Sequence, residues 1–195
     1  MEKISGGVTA AKGYQAAATA AGIKYQGRTD MAMVYSEVPA AVAGTFTTNV
    51  FKASPVIWDR NIVKGSGIAQ AVVVNSGIAN ACTGEEGDRY CQLTADAAAE
   101  ALGINADAVL LGSTGVIGMQ LPMDKMQAGA KKLSTMLASG IEAGTAAAQA
   151  IMTTDTHKKE IAYTFTVGGR TATIGGMAKG SGMIHPNMCT MLAYV

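Results

Sequence analysis

One stretch near the end of the chain carries residues able to do covalent chemistry. It reads Lys179-Gly180-Ser181-Gly182-Met183-Ile184-His185-Pro186-Asn187-Met188-Cys189-Thr190-Met191-Leu192. A glycine-bearing loop begins with a lysine and enters an apolar stretch through a threonine. A threonine hydroxyl is a weak nucleophile unless a base sits beside it, and one solution is the free amine of a threonine that begins a chain. Such an α-amino group has a pKa of about 7.7–8, so much of it accepts a proton near neutrality. A plainer reading fits the same residues: Thr190 starts a β-strand and Lys179 is a solvated loop charge. Composition and spacing leave both open.

A second candidate is Ser113-Thr114-Gly115, directly after the apolar run Ala108-Val109-Leu110-Leu111. The Thr114 hydroxyl and the Gly115 N–H could converge on a developing negative charge, with glycine allowing close approach. Turns of this composition are common, so taken alone the motif reads as an ordinary strand-to-loop turn. Two generic phosphate motifs are excluded. Lys179-Gly180-Ser181 has the wrong order for a P-loop, and Gly112, Gly115 and Gly118 lack the spacing of a dinucleotide fingerprint. With His157 and His185 the only histidines, and Cys82, Cys91 and Cys189 forming no CxxC pair, no metal-ligand set emerges. Three unpaired-looking cysteines also favour a reducing, cytoplasmic compartment over a disulfide framework.

These residues need a scaffold, and the pattern supplies one. Strands are expected at 31–36 and 41–47 around a Glu37-Val38-Pro39 turn, at 71–75, at 108–111, and at 162–167 and 171–174 around a Gly168-Gly169 hairpin. Helices are expected from Asp88 to Leu102, stopped by Gly103, from Pro122 along Met126, Ala130, Leu133 and Leu137, and from Glu142 to Met152. Ser76 to Ala81 reads as a loop too poor in bulk for a core, and Gly175 to Pro186 as too glycine-rich for a strand interior. The whole reads as one α/β or α+β unit. Its 195 residues suffice for one ordinary domain.

Composition narrows the partners. Fifteen Lys+Arg against 14 Asp+Glu, with no basic cluster, argue against nucleic acid. No apolar run approaches the roughly 20 residues of a membrane span. Charged residues make up only 15% of the chain, below the usual quarter, which fits a surface partly covered by another chain.

The 179–192 stretch resembles the self-cleavage region of the ornithine acetyltransferases of arginine biosynthesis. The resemblance extends to Gly7-Val8-Thr9-Ala10, Val74-Asn75-Ser76-Gly77 with Ala79-Asn80-Ala81, Ser113-Thr114-Gly115-Val116-Ile117-Gly118, and Ala150-Ile151-Met152-Thr153-Thr154-Asp155-Thr156. These motifs follow the family order over nearly the whole chain. Cys189 replaces the usual alanine, and Ile78 the usual asparagine.

The resemblance implies a single domain over 1–195 that is the α-chain half of a precursor. Cleavage between Cys189 and Thr190 would give an α chain of 1–189, with 190–195 beginning a β chain. Thr190 would be the acetyl-accepting nucleophile, Thr114 and Gly115 the oxyanion hole, and Thr153 and Lys179 substrate-binding residues beside Thr190, with Thr154 a neighbouring alternative. N2-acetyl-L-ornithine would be the donor and L-glutamate the acceptor, acetyl-CoA standing as an optional second donor, with no metal or prosthetic group. The implied partner is the β chain of the same precursor, in a heterotetramer of two copies of each. The implied fold is a layered sandwich of two sheets between helices, shared with self-processing aminopeptidases. An aminopeptidase-type hydrolase and a non-catalytic assembly fragment are the competing readings.

Overall fold

A computed structural model of the protein describes residues 1–180 and 191–195. In chain order the elements are β1 (Glu2–Ile4), β2 (Tyr14–Thr19), β3 (Met31–Ala41), α1 (Ser54–Lys64), β4 (Ile68–Ile78) and α2 (Glu85–Leu102). A single 3-10 turn (Ala106–Ala108) leads into β5 (Val109–Val116), followed by α3 (Met123–Ser134), α4 (Ile141–Ala150), β6 (Lys159–Val167), β7 (Arg170–Lys179) and β8 (Leu192–Tyr194). The strands form two four-stranded sheets, ordered β2-β3-β4-β5 and β1-β6-β7-β8. All pairings are antiparallel except β4 with β5, whose connection runs through α2 as a parallel crossover requires.

The continuous apolar run in β4 is buried on both faces. Ala71 and Val73 join a core with Met31, Met33, Val109 and the stripes of α2 and α3. Val74, one residue on, belongs to a second core with α4 and Met177 of β7. On α2 the stripe residues Cys91, Ala95 and Ala98 are at most 2% exposed. Their small side chains let the helix lie close on the sheet. Gly103 closes the helix with φ +68 and an N–H bond to the Ala99 carbonyl, as a left-handed cap does. The expected two-sheet, layered α/β architecture is the one observed. On the outer face of the second sheet, Ile161 and Ile174 remain 44% and 43% exposed.

β5 is an edge strand, and α1 shields its free side. The Trp58 indole donates to the Val109 carbonyl at 2.9 Å, and the Asp59 carboxylate accepts from the Leu111 N–H at 2.8 Å. Two side chains of one helix thus satisfy backbone groups that an open edge would leave unpaired. Burial pushes the Asp59 carboxyl from its ordinary 3.8 up to about 7, with the Leu111 bond only partly offsetting it. The folded state therefore holds a proton that the unfolded chain has already lost. Its stabilising contribution is full below pH about 4 and disappears as pH rises through about 7. Asp59→Asn keeps an acceptor for Leu111 and removes the titration. We expect its Tm to fall less between pH 5 and pH 8 than that of the wild type; equal falls would clear Asp59 of the effect.

Several local expectations are corrected. The Glu37-Val38-Pro39 turn does not separate two strands. β3 continues to Ala41 through a register shift between Tyr35 and Ala40, and residues 42–49 form no strand. A bulge is a place where proline's missing N–H costs no ladder bond. β5 runs on through Thr114 and Gly115 to Val116, and β4 through Ser76 and Gly77 to Ile78. The 76–81 segment, expected as a loop too poor in bulk for a core, continues β4 to Ile78 and is buried, with Ser76 at 1%, Ala79 at 6% and Asn80 at 2% exposure. β7 runs through Gly175 and Gly176 to Lys179. At Gly175 a Cβ would lie 2.0 Å from the Gly7 carbonyl oxygen, so these glycines let the N-terminal segment lie against the strand. β1, β2 and α1 carried no pattern strong enough to read.

Candidate functional site

Lys179 ends β7 on the same face as Met177, two residues earlier, and both are only 2% exposed. Its ammonium donates to Thr114 Oγ1 at 3.1 Å and to Thr153 Oγ1 at 2.8 Å. One buried cation thus joins the end of β5, the end of β7 and the loop after α4. The site lies where the two sheets meet.

Thr114 is 3% exposed and stands opposite Ser76 in the β4–β5 pairing. The Ser76 hydroxyl donates to the Ala150 carbonyl at 2.7 Å, tying the end of β4 to the end of α4. Gly115 faces Gly77, with φ of +138 and +105 respectively. Beyond them the Asn80 N–H donates to Ser113 Oγ at 2.8 Å, while Asn75 and Asn80 donate to the carbonyls of Ile78 and Gly87. The small-residue loop is a hydrogen-bonded brace around the end of β5. Its polar groups are buried because each has a partner.

The Thr153 loop is fastened from three sides. Arg28 donates to the carbonyls of Met152 and Thr153 at 2.8 and 3.3 Å. The Asp155 carboxylate accepts the Thr153 N–H at 3.3 Å, the Gly180 N–H at 2.9 Å and the Lys159 ammonium at 2.6 Å. Burial alone would raise the Asp155 carboxyl, but these bonds override it and hold it at about 2. For Lys179, burial pushes the ammonium below its ordinary value, the Asp155 charge pulls it back up, and the Lys159 charge pushes it down. A cation in such a place is held by geometry rather than by solvent.

Of the residues singled out in the sequence, the fold brings Thr114, Thr153 and Lys179 into direct contact and places Gly115 beside them. Lys179 is no solvated loop charge. Cys189 and Thr190 lie outside the described residues, as does His185. Thr154 and His157 are exposed. Cys91 is core, its thiol pushed up to about 12 first by burial and then by the Asp59 charge. Among the described residues, no group of three His, Cys, Asp or Glu side chains could hold a metal ion, and no helix is long and apolar enough to cross a membrane. Sequence reasoning missed Asp155, Lys159 and Arg28. Asp155 accepts an N–H two residues before it, whereas the common Asx turn takes one two residues on, so the local motif gives no direct signal for this bond. Nothing local marks Arg28 or Lys159.

One mixed and one antiparallel sheet with helices packed against them, and a cluster of Thr114 and Thr153 around the buried Lys179 between the sheets, define a layered α/β protein with an interior polar site. The ArgJ family model matches residues 15–195, and the chain belongs to that family. It is 51% identical over its full length to the arginine biosynthesis bifunctional protein ArgJ of Gloeobacter violaceus, covering 47% of that protein. It is 52% identical to the protein of the same name from Symbiobacterium thermophilum, covering 48% of it. The chain spans about half the length of the curated relatives it matches.

Two crystal structures are similar at 42% identity. The arginine biosynthesis bifunctional protein of Bacillus halodurans gives a TM-score of 0.90, covering 96% of this chain and 97% of that one. The ornithine acetyltransferase of Mycobacterium tuberculosis, complexed with ornithine, gives 0.85, with 96% of each chain covered.

Proposed function

We propose that this chain is the α half of an acetyltransferase of arginine biosynthesis, which moves the acetyl group of N2-acetyl-L-ornithine to L-glutamate through an ester on Thr190. In this reading the bond between Cys189 and Thr190 is first cleaved, and the freed amine of Thr190 becomes the base for its own hydroxyl. The hydroxyl attacks the acetyl carbonyl, the tetrahedral oxyanion collapses, and ornithine leaves with its nitrogen protonated. The glutamate amine then attacks the acetyl-threonine ester by the same route in reverse. A β chain completes the site, in an assembly of two copies of each chain. Acetyl-CoA as a second donor belongs to the same proposal, and the chemistry as written uses no metal or prosthetic group.

The observation that carries the reading is the Lys179 ammonium bonded to the hydroxyls of Thr114 and Thr153. A hydroxyl oxygen that accepts from an ammonium keeps its own proton to donate, and the charge behind it strengthens that donation. This supports Thr114 as an oxyanion donor, with the Gly115 N–H as its neighbour. Lys179 and Thr153 are assigned to the α-carboxylate that donor and acceptor share. The names of the relatives, and the ornithine bound in one of the similar structures, agree with that substrate class.

Thr114→Ala removes one oxyanion donor and leaves the cation held by Thr153. We expect kcat to fall by about 10²–10³-fold in the full-length polypeptide. A kcat at the wild-type level would return Thr114 to a structural role. The proposal as a whole is tested by intact-mass measurement of the full-length product together with ornithine release from acetylornithine and glutamate. Masses matching a cut before Thr190, with ornithine release, support it. An uncut chain without transfer sinks it, and hydrolysis of peptides without acetyl transfer would favour the aminopeptidase-type reading.

A further inference from the structure

Asp155 has no part in the acetyl transfer described above, yet it is the most heavily bonded side chain near Lys179. Its side chain is 1% exposed, against 35% for its partner Lys159. The groups facing it come from three elements: the Thr153 N–H of its own loop, the Lys159 ammonium of β6, and the Gly180 N–H just past β7. Gly180 has φ +115, a value that glycine adopts without strain. It is the immediate neighbour of Lys179, so a bond to its N–H fixes the end of β7. The other carboxylate oxygen fixes the N–H of Thr153, whose hydroxyl receives the same lysine. One rigid, planar carboxylate therefore sets the separation of the two backbones that the Lys179–Thr153 bond must span.

We propose that Asp155 is a positioning residue of this site: its carboxylate clamps the end of β7 to the Thr153 loop and so fixes where the Lys179 ammonium stands between Thr114 and Thr153. Its own charge is directed to Lys159 and two amides, so it acts through Lys179 rather than on the substrate. Its charge also acts at longer range, favouring the ammonium form of Lys179, whereas the Lys159 charge opposes it. The two neighbours therefore have opposite effects on one observable. The split between KM and kcat, rather than this through-space charge effect, separates positioning from a merely structural ion pair.

The test uses the full-length polypeptide and two readouts. The first is the titration of Lys179, followed by NMR of isotope-labelled lysine side chains and assigned by its loss in Lys179→Met. Asp155→Asn, which keeps the shape and removes the charge, is expected to lower the Lys179 midpoint, and Lys159→Met to raise it. The second readout rests on the acetyl-transfer reading. Asp155→Asn should raise KM for acetylornithine and for glutamate on the order of tenfold, with kcat changed less, because the cation that meets their carboxylates is misplaced. An unmoved Lys179 midpoint, or a folded Asp155→Asn protein with wild-type KM, overturns the proposal. If Asp155→Asn does not fold, the Lys159→Met titration decides, and an unchanged midpoint there overturns it equally. A wild-type protein that releases no ornithine would refute the acetyl-transfer reading but leave the titration to judge Asp155.

Discussion

Thr190→Ala in the full-length polypeptide is expected to give a single uncut chain with no measurable acetyl transfer. The reason is economy of groups in the proposed chemistry. The same hydroxyl attacks the preceding peptide bond during cleavage and the acetyl carbonyl during turnover. Without cleavage, the Thr190 nitrogen remains an amide and has no basicity to offer. Losing a nucleophile of this kind lowers kcat on the order of 10⁴–10⁶-fold. Folding should be little affected, because the bonds that hold Lys179 end on Thr114 and Thr153. Thr190→Ser, which keeps a hydroxyl, should still cleave and retain part of the activity. The measurements are a denaturing gel and ornithine release. Two chains in the alanine variant would remove Thr190 from both roles.

Gly115→Ala is expected to be the most damaging substitution among the described residues near the site, and its damage is to the fold. A Cβ at position 115 would lie 2.2 Å from the Gly77 carbonyl carbon, 2.3 Å from its oxygen and 2.7 Å from the Ile78 nitrogen. Those atoms are backbone, so no side-chain rotation relieves the clash. β4 and β5 would have to part where Thr114 and Ser76 face one another. The φ of +138 adds strain that no L side chain tolerates well. Strain of about 1–3 kcal/mol and overpacking of about 1–3 kcal/mol together take a large share of a typical domain's stability. At this chain length that corresponds to a fall in Tm of about 10 °C or more. Gly118→Ala is the control. Its φ is +78, but a Cβ there meets nothing within 4 Å, so it should lose only the smaller conformational part. Equal losses at the two positions would show that φ, not the approach of Gly77, sets the requirement at Gly115.

The motifs told more than the periodicities. Val74 to Ala81, Ser113 to Gly118, Ala150 to Thr156 and the run from Lys179 were legible as related pieces because each has an unusual composition. Periodicity found α2, α3, α4 and the β6–β7 hairpin. It stopped short wherever glycine or a small polar residue interrupted an apolar run, as in β4, β5 and β7. In each case the structure continues the strand because a neighbouring backbone lies close enough to use the missing side chain: Gly77 against Gly115, Gly7 against Gly175. Glycine signals an end of structure locally and a close approach globally, and a single sequence does not separate the two.

By itself the sequence determined which residue types are present for chemistry and in what order: a threonine ahead of an apolar stretch, a lysine eleven residues before it, and two further threonine motifs. It also determined the buried strands, because an unbroken apolar run has one comfortable place in a sheet covered on both faces. Only the tertiary structure decided that Lys179 leaves solvent to stand between Thr114 and Thr153, residues 65 and 26 positions away. It also decided that Asp155 closes that arrangement from behind. The physical reason is that a buried cation must recover lost hydration from donors and acceptors fixed around it. Those partners come from different sheets and loops. Their meeting is a property of how the two sheets pack, which no local stretch of sequence contains.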